Sequence, residues 1–104
     1  MNEQTISKMK DGAILLNLAR GGVVDSVALA NALKSGKLAG AGIDVFDKEP
    51  PLNADEPLLH APNTLLTPHI AFATEESMAL RAEIVFDNLH HFLAGDPINL
   101  VSLD

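Results

Sequence analysis

Ala13-Ile14-Leu15-Leu16-Asn17-Leu18-Ala19-Arg20-Gly21-Gly22 decides the fold. Its first six residues form a nearly continuous apolar run with no polar alternation, the pattern of a strand buried on both faces of a parallel sheet. Two glycines then permit a tight turn and a close approach of the backbone to a ligand. Upstream, Lys10-Asp11-Gly12 is a turn signal, and residues 2–10 read as a short helical piece with Ile6 and Met9 on one side. Downstream, Asp25 or Ser26 caps a helix that carries Ala28, Leu29, Ala32 and Leu33 on one face. Gly36 supplies a left-handed stop, and Leu38 to Phe46 returns as a second apolar run. Strand, helix and strand with short connections make a βαβ unit, whose strands run parallel.

A third strand is expected at Thr64-Leu65-Leu66-Thr67, closed by Pro68, which has no N–H for a ladder and biases Thr67 to extended geometry. His69 lies just past that strand. Between the second and third strands, residues 47–63 hold four of the six prolines and show no helical period. They read as a long surface loop, and without a helix there the direction of the third strand stays open. From Thr74 a helix of about 20 residues begins, with Glu75 and Glu76 at the positive end of its dipole and Gly95 as its stop. Its stripe of Met78, Ala82, Val85, Phe86, Leu89, Phe92 and Leu93 reads as core packing. Gly40-Ala41-Gly42 lies inside a strand pattern, and Val45 stands where a third glycine would fall, so it is rejected as a phosphate loop.

The 104 residues suffice for one small domain, and 47% hydrophobic content fits a packed core built of Leu, Val, Ile and Ala, since Trp and Tyr are absent. The net charge of −7 and the lack of a Lys/Arg cluster argue against nucleic acid and anionic membranes as partners. No apolar stretch approaches the roughly 20 residues that span a bilayer. Met1-Asn2-Glu3-Gln4-Thr5 lacks the layout of a signal peptide, and the absence of cysteine fits a reducing compartment, so a cytoplasmic location is expected. The histidines His90 and His91 are adjacent on a helix and diverge by about 100°, so no metal site is expected.

If all three strands are parallel, Arg20, Asp44, Glu49 and His69 fall beyond their carboxyl ends, where open α/β sheets bind ligands. A guanidinium holds a carboxylate bidentately, an imidazole takes and gives protons near neutral pH, and a carboxylate beside it selects the ring tautomer. Each residue also has a plainer reading: a helix cap or surface ion pair for Arg20, a solvated loop acid for Glu49 and a strand-capping residue for His69.

The runs Met9-Lys10-Asp11-Gly12-Ala13-Ile14-Leu15-Leu16-Asn17-Leu18-Ala19-Arg20-Gly21-Gly22-Val23-Val24-Asp25, Gly40-Ala41-Gly42-Ile43-Asp44-Val45-Phe46-Asp47-Lys48-Glu49-Pro50 and Thr67-Pro68-His69-Ile70-Ala71 resemble the D-isomer-specific 2-hydroxyacid dehydrogenases. The resemblance covers nearly the whole chain. It implies an α/β fold: a partial Rossmann-like domain with a three-stranded parallel sheet, flanking helices and a long C-terminal helix. Residues 1–73 would be the C-terminal half of a dinucleotide-binding domain, and 74–104 a helix and tail returning toward a substrate domain.

The resemblance also implies a catalytic triad. Arg20 would bind the 2-oxo acid's carboxylate and carbonyl, His69 would be the general acid/base, and Glu49 would pair with His69. Leu18, Ala19, Arg20, His69 and Ala71 would line the pocket of NAD (or NADP), with Asp44 on the nicotinamide carboxamide. The substrate would be a small 2-hydroxy or 2-oxo acid of the glycerate, hydroxypyruvate or glyoxylate type, and the protein a homodimer. Family members are about three times as long, and their glycine fingerprint would precede Met1. The chain therefore reads as a C-terminal fragment that is inactive alone. The alternative is a non-catalytic, dimerising or partner-binding half-domain, which would have no reason to keep Arg20, Glu49 and His69 together.

Overall fold

A computed structural model describes residues 1–48 and 52–102. The chain divides into two compact units, Met1–Ala71 and Phe72–Asp104. In the first, α1 (Glu3–Ser7) is followed by β1 (Ala13–Asn17), a single 3-10 turn at Gly21–Val23, α2 (Ser26–Lys34), β2 (Leu38–Ile43), a second 3-10 turn at Pro57–His60, and β3 (Thr64–Leu66). The strands form one sheet in the order β1-β2-β3, and both pairings are parallel. That settles the direction of β3, which the loop sequence left open. The short turn at Pro57–His60 is the one regular element that the 47–63 reading missed, among the described residues.

Local chemistry fixes the boundaries. Asn2 and Thr5 form a reciprocal capping box on α1. The Asp25 side chain accepts the Ala28 N–H at 2.9 Å and so caps α2. Lys34 sits in the last turn of α2, and Gly36 takes φ +76° just beyond it. Asp11 and Lys37 join the approaches to β1 and β2 by an ion pair at 2.5 Å.

The register explains which side chains meet. Leu15 pairs with Ala41 and Asn17 with Ile43, and these point to the face covered by α2. There Ile6, Leu15, Ala28, Leu29, Ala30, Leu33, Leu38, Ala41, Ile43, Phe46 and Leu58 make the core. On the other face Ile14, Leu16 and Leu65 are 66%, 68% and 71% exposed. The expectation of strands buried on both faces is therefore corrected. The single βαβ crossover puts its helix on one side of the sheet, and no described element of this unit covers the other. Gly42 belongs to that bare face, where a Cβ would lie 2.8 Å from Leu16 Cδ2. Its role is close packing against the neighbouring strand β1, and it lies inside β2 rather than in a phosphate loop.

In the second unit, α3 spans Glu75–Ala94. The Thr74 hydroxyl accepts the Ser77 N–H at 3.1 Å, and Gly95 ends the helix with φ +78°. The Arg81 guanidinium lies 5.4 Å from the centroid of the Phe72 ring. The Asn99 side chain donates to Asn88 Oδ1 at 2.8 Å and ties the tail back to α3. No residue of α3 is buried. The stripe Met78, Val85, Phe86, Leu89, Phe92 and Leu93 is exposed, which corrects its reading as packed core. The periodicity marks a face fit for burial, and this unit contains no second described element to bury it.

Candidate functional site

The parallel topology carries the turns after β1, β2 and β3 to one edge of the sheet. Strand spacing puts the outer two turns roughly 10 Å apart, with the β2 turn between them.

The turn after β1 is held by Asn17, a residue to which the sequence assigned no role. Its side chain is 4% exposed, donates to the Arg20 carbonyl at 3.0 Å and accepts the Ala19 N–H at 3.2 Å. The signal was an amide at the carboxyl end of an apolar strand, where a buried polar group must find partners. Arg20 is extended and exposed, and its Nη1 donates to the Ala19 carbonyl at 2.6 Å. Leu18 and Ala19 are exposed beside it.

The β2 turn is centred on Asp44, which is 1% exposed. Its backbone N–H donates to the Asn17 carbonyl at 3.0 Å, linking it to β1. Toward β3 its carboxylate is surrounded by donors. Oδ1 accepts the Thr67 hydroxyl at 2.6 Å and the Ile70 N–H at 2.8 Å, and Oδ2 accepts the Ala71 N–H at 2.8 Å. The Asp44 carbonyl accepts the His69 N–H at 2.8 Å. Burial pushes the Asp44 carboxyl up, but the Thr67 hydroxyl, the Ala71 and Ile70 N–H groups and the charge of His69 outweigh it and hold the group below its ordinary value. An ionised carboxylate among oriented dipoles is the result.

His69 is half-buried, with φ +56°. A left-handed backbone is uncommon in residues other than glycine, costs about 1 kcal/mol or more, and persists only where surrounding bonds enforce it. Glu49 lies outside the described residues. The structure therefore brings Asp44 and His69 together on adjacent turns and places Arg20 on the far strand of the same edge. A hollow of about 690 Å³ in the first unit is lined by residues including Asn2, Gly22, Asp25 and Glu56, and by none of Arg20, Asp44 or His69. Among the described residues no three His, Asp or Glu side chains gather as a metal site would require.

An open parallel sheet with polar groups beyond its strand ends defines a ligand-binding α/β domain. Residues 1–71 match the family described as D-isomer specific 2-hydroxyacid dehydrogenase, NAD binding domain. The chain is 46% identical over 102 residues to a hydroxypyruvate reductase from Blautia hydrogenotrophica, covering 98% of this chain and 31% of that protein. It is 50% identical over 103 residues to a glyoxylate reductase from Pyrococcus furiosus, covering 98% of this chain and 30% of that one. Among solved structures, an NADPH-dependent glyoxylate/hydroxypyruvate reductase from Sinorhizobium meliloti in complex with citrate superposes with a TM-score of 0.81 at 38% identity, covering 97% of this chain and 32% of that one.

The chain belongs to the D-isomer specific 2-hydroxyacid dehydrogenase family through this domain. It spans about a third of the length of the curated relatives it matches.

Proposed function

We propose that these residues form the acid–base half of an NAD(P)-dependent D-2-hydroxyacid dehydrogenase that reduces a small 2-oxo acid of the glyoxylate or hydroxypyruvate type. The observation that carries this reading is the parallel order of β1, β2 and β3, which brings the turns bearing Arg20, Asp44 and His69 to one sheet edge. The activities for which the similar proteins are named support it.

Arg20 holds the substrate carboxylate through its planar fork and fixes the 2-oxo group toward the third turn. His69 donates a proton to the 2-oxo oxygen in reduction and removes it in the reverse direction. Glu49 pairs with the imidazole and selects its tautomer. The exposed side chains of Leu18 and Ala19, with the turn at His69 and Ala71, offer an apolar edge and backbone groups fit for a nicotinamide ring. The Asp44 carboxylate, 1% exposed and turned to the Thr67 hydroxyl and the Ile70 and Ala71 N–H groups, supports this turn from beneath. With NAD(P)H bound, the nicotinamide is the hydride source for the substrate's C2.

Residues 1–73 serve in this reading as part of the nucleotide-binding domain, and 74–104 as the segment that leads to a substrate domain. The protein acts in the cytoplasm as a homodimer. Exposed apolar groups on the sheet face and on α3 support the dimer, and the absence of cysteine supports the compartment.

A chimera tests the reading. These residues replace the matching 102-residue segment of the Blautia hydrogenotrophica reductase, to which they are 46% identical. The chimera is expected to oxidise NADH or NADPH with hydroxypyruvate. His69→Ala should lower its kcat by about 100-fold or more, and Arg20→Ala should raise the KM for the oxo acid. An active chimera that is indifferent to His69→Ala overturns the proposal. The 104 residues alone are expected to show no NADH oxidation, because they contain no Gly-x-Gly-x-x-Gly turn to cradle a pyrophosphate.

A further inference from the structure

His69 leaves β3 in a direction that an extended chain would not take. Pro68 ends the ladder, and the next residue turns left-handed at φ +56°. Besides the His69 N–H contact with the Thr67 carbonyl at 3.1 Å, four hydrogen bonds of this turn end on one residue, Asp44, just past the neighbouring strand. The Asp44 carbonyl takes the His69 N–H, while its carboxylate takes the Thr67 hydroxyl before the histidine and the Ile70 and Ala71 N–H groups after it. The two carboxylate oxygens are divided between two consecutive N–H groups, so the group fixes the orientation of a peptide plane as well as its position. Asp44 is fully enclosed, so these bonds face little competition from water.

We propose that Asp44 is a positioning residue: by clamping the Ile70 and Ala71 N–H groups it imposes the left-handed turn that aims the His69 imidazole, and it acts on the reaction through His69. This rests on the reading of His69 as the acid–base group. It gives Asp44 a role separate from the cofactor contact that the resemblance implied.

Asp44→Asn isolates the clamp. The amide keeps one acceptor oxygen, but its NH2 faces a backbone N–H, so one of the two main-chain bonds is lost. In the 104-residue chain, amide exchange at Ile70 or Ala71 is expected to quicken by about tenfold or more, as for loss of a hydrogen bond to a charged group. The NMR coupling and Cα shift of His69 should leave their left-handed values, while the amides of Leu15 to Asn17 keep their protection. Retention of the His69 signature together with protected Ile70 and Ala71 amides overturns the proposal.

Should Asp44→Asn unfold the chain, Thr67→Val removes only the hydroxyl from Oδ1. It is expected to loosen Ile70, which shares that oxygen, more than Ala71; unchanged exchange at both overturns the proposal.

In the chimera, Asp44→Asn is expected to lower kcat by about tenfold or more with unchanged NADH affinity. Added to His69→Ala, it should cost nothing further. A loss that adds to that of His69→Ala, or one confined to NADH affinity, sinks the positioning role while the proposed function stands. Indifference of kcat to His69→Ala sinks the proposed function and leaves the NMR result to judge the clamp.

Discussion

Gly21 and Phe46 meet backbone to backbone: a Cβ on Gly21 would lie 2.1 Å from the Phe46 carbonyl carbon and 2.3 Å from the Asp47 nitrogen. The turn after β1 thus crosses directly over the chain leaving β2. Only a residue without a side chain allows this, and the backbone conformation is ordinary in every other respect. Gly21→Ala is expected to destabilise the first unit by about 3 kcal/mol, because backbone rather than a flexible side chain must move. A Cβ on Gly22 would lie 3.4 Å from Asp47 Oδ1, an ordinary contact, and Gly22→Ala should stay within about 0.5 kcal/mol. Urea unfolding of the two variants checks the contrast.

The histidine proposed to serve the chemistry should be a burden on the fold. With φ +56° at His69, Gly at this position relieves strain that Ala retains. His69→Gly is expected to be more stable than His69→Ala by about 1 kcal/mol. Thermal melts of the two variants decide this; equal melting temperatures would show that the turn is unstrained.

Acid should release the clamp in a defined direction. The Asp44 carboxyl is held below 3.8, its ordinary value, so the folded form binds fewer protons than the unfolded chain at the pH values just beneath it. Its contribution is complete above 3.8 and is lost as pH falls through the depressed value. The stability difference between wild type and Asp44→Asn should therefore be constant near neutrality and shrink in acid. A difference that persists to the lowest pH at which the chain folds contradicts the assignment.

The bare sheet face should govern association. Ile14, Leu16 and Leu65 lie on it, and their exposure in the described structure exceeds that of any core residue. Replacing all three by lysine is expected to leave the circular dichroism unchanged and to lower the sedimentation-derived mass at high concentration. An unchanged mass would show that this face mediates no association.

Much of this was legible from the residues. The run from Ala13 to Leu18, the helix with Ala28, Leu29, Ala32 and Leu33, and the run from Leu38 declared a parallel βαβ unit, because short connections and one-handed crossovers leave few alternatives. Asp25, Gly36, Thr74 and Gly95 marked helix ends through their side-chain or glycine chemistry. The direction of β3 was hidden, since a loop without a helix carries no crossover rule.

The one-sided cover of the sheet was hidden for a different reason. Apolar residues on both faces of β1 state what the strand requires, and whether a second layer is present depends on elements outside the strand. The stripe on α3 misled in the same way. The clamp on His69 was invisible because its donors are mostly main-chain N–H groups, which every residue but proline carries. Asp44 stood out in the sequence as a charged residue at the end of an apolar strand. Nothing there showed that its partners would be the backbone of a turn more than twenty residues away.

That choice of partners frees the turn itself. At Ile70 and Ala71 Asp44 takes only the main-chain N–H, and both side chains are exposed. If Asp44 sets the shape of the turn as proposed, Ile70 and Ala71 can be exchanged for almost anything but proline without altering the aim of His69. Under that proposal two tasks that compete in a small loop, holding the imidazole still and presenting exposed side chains, fall to residues after different strands.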